Sequence, residues 1–129
     1  MTIDVSRPDF AIGVIGAGVM GRGIAQVAAE AGFTVLLADA QAGAVEAAAK
    51  SCTDMIRRKA AKGQIDEGAA EAAVARIRKT GAGPEAGWSE FAGCGLVIEA
   101  VVERMDVKHA VVSGLEAVVG EQCVIASNT

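Results

Sequence analysis

Tyrosine is absent from this 129-residue sequence, tryptophan occurs once and phenylalanine three times. Basic residues number 12 against 16 acidic ones, for a net charge of −4. With neither a basic face nor rings to stack on bases, nucleic acid is not expected as a partner. Cysteine is scarce and odd in number: Cys52, Cys94 and Cys123 lie far apart and form no CxxC pair. That spacing suggests neither a disulfide framework nor a zinc site, so no metal is expected and buried thiols in a reducing compartment are the reading. No apolar run approaches the roughly 20 residues that cross a bilayer, and no membrane partner is expected. The opening MTIDVSRPDF carries Asp4 and Asp9 and has no apolar core, so it reads as neither a secretory signal nor a basic transit peptide. Together these absences point to the cytoplasm.

What the sequence does have is small and apolar. Apolar residues make up 52% and glycine fills 16 positions, which favours tight backbone packing over an aromatic core. The length suits one domain, residues 1–129, with a single core. Residues 10–15 (FAIGVI) read as a short buried strand ended by turn glycines. From Val19 the period changes: Met20, Ile24, Val27, Ala28 and Ala31 share one helical face, and Gly32 stands at a C-cap position. FTVLLAD (33–39) is apolar on both faces until Asp39, the pattern of a parallel strand covered on both sides. Residues 44–61 form an alanine-rich helix ending near Gly63, and Asp66 can cap a helix over 67–76. A weak strand over 76–80 and a loop at 81–87 (GAGPEAG) precede a strong strand at 95–102 (GLVIEAVV). Val107, Ala110, Val111, Leu115 and Val118 then mark a helix, and CVIAS (123–127) a last strand. Strands separated by helices require crossovers, so the expected fold is α/β, a Rossmann-type doubly wound parallel sheet. A terminal strand with no closing helix predicts a longer parent protein.

Gly16-Ala17-Gly18-Val19-Met20-Gly21 spells GxGxxG between the first strand and the first helix. In such a turn the first glycine reverses the chain and the second admits a diphosphate. The third lets helix and strand pack closely, while free N–H groups at the helix N-terminus face the phosphates. The pattern also needs an acid at the end of the next strand. Asp39 supplies it, placed to accept hydrogen bonds from a ribose 2′-hydroxyl. The same acid would repel the 2′-phosphate of NADP, and Ala40, Gln41 and Ala42 offer no arginine to receive one. NAD is the expected cofactor; FAD, which shares the fingerprint, and a purely structural turn are the lesser readings. The basic stretch Arg57-Arg58-Lys59 with Lys62 reads as a solvated helix face, or as a contact for a phosphorylated ligand tail.

GVIGAGVMGRGIAQVAAEAGFTVLLAD resembles the opening of the 3-hydroxyacyl-CoA dehydrogenase family. RRKAAKGQID (57–66), GLVIEAVVERMDVKHAV (95–111) and IASNT (125–129) resemble later family segments, in order and with compatible spacing. The resemblance implies oxidation of an (S)-3-hydroxyacyl-CoA to the 3-oxoacyl-CoA with hydride passing to NAD. It implies that residues 16–21 hold the diphosphate and Asp39 the adenosine ribose. Glu103, Lys108 and Asn128 would line the nicotinamide side, and Lys62 would contact the CoA nucleotide of the acyl-CoA substrate. Each has a plainer reading: a helix-start acid with a surface lysine, a turn-forming Asn, a solvated Lys. Gly95 departs from the family's usual Asp and is expected to loosen a loop. The family's catalytic His, its Glu partner and a thioester-activating Asn lie downstream of SNTSS. No catalytic residue is therefore assigned here, His109 reads as a surface residue, and the chain alone is expected to be inactive. A helical C-terminal domain would complete the acyl-CoA cleft and carry a homodimer interface. Another β-hydroxyacid dehydrogenase, with lysine as base, and a non-catalytic NAD-sensing module are the competing functions.

Overall fold

The computed structural model describes residues 10–39, 41, 43–81, 87–100, 105–120 and 123–127. The strands are β1 (Ala11–Ile15), β2 (Thr34–Ala38), β3 (Ile77–Lys79), β4 (Leu96–Glu99) and β5 (Val124–Ser127). The helices are α1 (Val19–Glu30), α2 (Ala44–Ala61), α3 (Glu67–Arg76) and α4 (Met105–Glu116). A 3-10 turn at Ser89–Phe91, absent from the sequence reading, precedes β4.

The sheet runs in the order β3-β2-β1-β4-β5, and every pairing is parallel. This is the expected Rossmann-type doubly wound α/β architecture. Ile15 pairs with Ala38 on one side and with Glu99 on the other, so three strands end level. The chain leaves β1 toward β2 but leaves β4 toward β5. The order therefore reverses between β1 and β4, and that gap is where open α/β sheets receive ligands.

Two layers cover the sheet. Ile12, Val14, Val35 and Leu37 pack against Ala25, Ala28 and Ala29 of α1 and Ala48 and Cys52 of α2. On the opposite face Ile15, Ala38 and Val97 meet Trp88, Phe91, and Val111 and Leu115 of α4. Asp66 caps α3 by accepting from the Gly68 and Ala69 N–H groups at 2.9 and 3.2 Å, as its position predicts.

Two sequence expectations need correction. The buried face of α1 is Gly21, Ala25, Ala28 and Ala29; of the expected set Ala28 is buried and Ile24 packs against the same core, while Met20, Val27 and Ala31 do not. Met20 and Val27 are 60% and 69% exposed; with Ile12, Val19, Gly23 and Ile24 they line an open apolar trench of about 660 Å³. Small residues win the buried face because α1 approaches β1 too closely to admit long side chains. Gly95 does not loosen a loop either. It is buried, its N–H donates to the Ala11 carbonyl at 2.9 Å, and the Phe10 ring occupies the space of the missing side chain. Phe91 and Trp88 cover Gly13 and Gly114 in the same way, so the few aromatic rings do fill the core, seated on glycines.

Candidate functional site

Between Ile15 and Val19 the chain must reverse from β1 into α1. Gly16 takes φ 106°, a left-handed conformation open to glycine without penalty. Its N–H donates to the Ala38 carbonyl at 2.9 Å, which ties the turn to the end of β2. Gly21 lies against the Gly16 carbonyl oxygen, and a Cβ at Gly21 would overlap that atom. Gly18 is the N-cap of α1, with no side-chain cap and open space where a Cβ would stand. The helix's bonding starts with the Arg22 N–H donating to the Gly18 carbonyl at 2.9 Å. The N–H groups of Gly18, Val19, Met20 and Gly21 therefore have no acceptor among the described residues. Val19 is 84% exposed, so these donors sit at an open rim. Free donors at the positive end of a helix dipole, on a rim without side chains in the way, fit the diphosphate of a dinucleotide.

Asp39 follows β2 directly. Its Oδ2 accepts from the Ala17 N–H at 2.7 Å and its Oδ1 from the Gln41 N–H at 2.8 Å. One carboxylate thus joins the glycine turn to the β2 edge, a structural duty that sequence reasoning missed. No spacing rule distinguishes it from a free acid. A carboxylate has about four lone-pair sites, so roughly two remain for ribose hydroxyls.

The β4 side of the crevice is described more sparsely. Glu103 and Asn128 lie outside the described residues. Lys108 falls within α4, as does His109, and the side chains of both are outside the description. Sequence reasoning also passed over Glu99, which ends β4 and is fully buried. The available signal was a lone acid inside the apolar run LVIEAVV.

Lys62 is not on the crevice. It is the exposed C-cap residue of α2, an 18-residue helix about 27 Å long that begins beside the crevice edge. Two members of its basic cluster are already paired: Arg57 makes two 2.9 Å hydrogen bonds to Glu71, and Lys59 lies 2.8 Å from Glu30. Arg58 and Lys62 have no ion pair among the described residues.

The three cysteines are free thiols. Burial pushes the Cys94 thiol up to about 12, with neighbouring Cys123 adding to the shift, and burial raises Cys52 and Cys123 as well. All three stay protonated at neutral pH and are poor nucleophiles. Among the described residues no group of three metal-ligating side chains exists, and no helix is long and apolar enough to cross a membrane.

A family model described as 3-hydroxyacyl-CoA dehydrogenase, NAD binding domain, matches residues 11–129. The 3-hydroxybutyryl-CoA dehydrogenase of Bradyrhizobium diazoefficiens is 37% identical over 118 residues, covering 92% of this chain and 39% of that protein. The fatty acid oxidation complex subunit alpha of Pseudomonas syringae pv. tomato is 34% identical, covering 98% of this chain and 17% of its own length. A crystal structure of 3-hydroxybutyryl-CoA dehydrogenase from Escherichia coli K12 superposes with a TM-score of 0.84 at 32% identity. It covers 93% of this chain, which spans 24% of that one. The chain thus spans well under half the length of each of these proteins.

Proposed function

This chain belongs to the 3-hydroxyacyl-CoA dehydrogenase NAD-binding domain family, and from that premise we propose that it holds NAD for oxidation of an (S)-3-hydroxyacyl-CoA to the 3-oxoacyl-CoA. NAD, when bound, supplies the acceptor for the hydride that leaves the substrate. The work of this chain is to bind and orient. The free N–H groups of Gly18 to Gly21 hold the diphosphate, and Asp39 accepts from the adenosine ribose while its bond to Ala17 keeps the turn in shape. By family resemblance, Glu103, Lys108 and Asn128 serve the nicotinamide side. Lys62, with no ion pair among the described residues, meets the CoA nucleotide at a distance from the crevice. Orientation of this kind is worth much of a hydride-transfer barrier, because reacting atoms need near-contact geometry.

The observation that carries the reading is the 2.7 Å bond from the Ala17 N–H to Asp39, which joins the phosphate-binding turn and the ribose acceptor in one unit. The reading extends to residues 1–129 as one domain of a longer cytoplasmic protein. Its acyl-CoA cleft and homodimer interface would belong to a C-terminal helical portion. Support comes from the relatives, whose names are those of a 3-hydroxybutyryl-CoA dehydrogenase and of a fatty acid oxidation complex subunit alpha.

The test is titration of the chain with NADH and NADPH, before and after Asp39→Ala. NADH binds at least about tenfold more tightly than NADPH to the unsubstituted protein, because a carboxylate beside a 2′-phosphate is repelled. Asp39→Ala closes most of that gap. Equal affinities in the unsubstituted protein would sink the assignment of Asp39.

A further inference from the structure

Among the described residues Glu99 is the one charged side chain that is fully buried. It is the last residue of β4 and pairs in register with Ile15, the last of β1, and Ser127, the last of β5. The strand order reverses between β1 and β4, so Glu99 lies at the base of the crevice. Strand alternation puts it on the α4 face with Val97 and Ile15, where the surrounding layer is Trp88, Phe91, Val111 and Leu115. The side chain is engaged and not free. A carboxyl in such a layer costs free energy that a valine or leucine would avoid. Apolar packing by itself therefore gives no reason for the acid. Departures from the apolar pattern gather at functional sites, and this one sits where a ligand is expected.

We propose that Glu99 is a positioning residue for the nicotinamide half of the cofactor site. From below the crevice it fixes the end of β4, level with Ile15 and Ser127. Glu103 and Lys108 follow it in the sequence. The adenosine half stands on the other side of Ile15, under the control of Asp39. The proposal rests on the NAD-binding reading and deepens it.

ADP-ribose, which keeps the adenosine and diphosphate but lacks nicotinamide, separates the two halves. Affinities for NADH and ADP-ribose are measured by calorimetry on the whole chain and on Glu99→Gln, with the melting temperature recorded for each. Glu99→Gln weakens NADH about tenfold, the loss expected of one charged hydrogen bond, and leaves ADP-ribose within about twofold. A parallel loss for both ligands, or a lowered melting temperature with both affinities intact, would make Glu99 a residue of the fold alone and overturn the proposal. If the Gln chain does not fold, Glu99→Asp carries the same expectation, since it keeps the charge but withdraws it by one methylene. An unsubstituted chain that binds neither ligand overturns the NAD reading itself. One that binds both, with an unchanged NADH to ADP-ribose ratio in the variant, overturns only the role of Glu99.

Discussion

Asp39 and Glu99 stand on either side of Ile15, one just past the end of β2 and the other at the end of β4, and they are opposite kinds of acid. Asp39 is half-buried at the rim and spends both oxygens on backbone N–H groups. Glu99 is fully buried on the α4 face. The same functional group at neighbouring strand ends is a clamp on backbone N–H groups in one place and a fully buried side chain in the other. What separates them is cover. Asp39 emerges where a turn leaves the sheet, whereas Glu99 is roofed by the layer that Trp88, Phe91 and α4 form.

The largest effect expected is at the position that serves both halves. Gly21→Val drives a side chain into the Gly16 carbonyl, so helix and strand must part. We expect a loss of about 3 kcal/mol or more in urea unfolding, with NADH and ADP-ribose binding lost together. Selective loss of one ligand would break the picture of a shared turn. Next comes Asp39→Ala, which removes the proposed ribose acceptor and the clamp on Ala17. It should weaken NADH and ADP-ribose by the same factor, about tenfold, the reverse of the Glu99→Gln signature. If both substitutions shifted the NADH to ADP-ribose ratio alike, the division of the crevice at Ile15 would fail. The smallest effect should follow Lys59→Met, which breaks the pair with Glu30 away from the crevice. A change of about 0.5 kcal/mol in stability and none in either affinity is expected, because partly exposed ion pairs contribute little.

Local patterns were legible wherever one element decides its own form. The α2 helix covers residues 44–61 and α3 residues 67–76, as helix propensity and the Asp66 cap imply. Strand positions were legible too, since buried parallel strands read as short apolar runs. The face of α1 was not. Hydrophobic spacing favoured Met20, Ile24, Val27, Ala28 and Ala31, but of these only Ala28 is buried, and closeness to β1 selects Gly21, Ala25 and Ala29 for the rest of the face. The seats of Phe10, Phe91 and Trp88 on Gly95, Gly13 and Gly114 were hidden for the same reason. Each joins residues far apart in the chain, and no local rule scores a ring against a missing side chain. Of the site, the glycine turn and Asp39 could be named from spacing. The bond between them could not, and Glu99 was read as one more residue of an apolar strand.

By itself the sequence determined the menu: strands, helices, a glycine turn uncapped at its helix, and an acid one strand away. It determined the family as well, through motifs whose order and spacing are properties of the chain. Tertiary structure decided which residues meet. Strand order and register are non-local, because they depend on crossovers that bring β4 beside β1 and on the layer that closes over each face. Only that pairing levels Ala38, Ile15 and Glu99, and only the cover from α4 and the aromatic rings makes one of two similar acids a rim and the other a base.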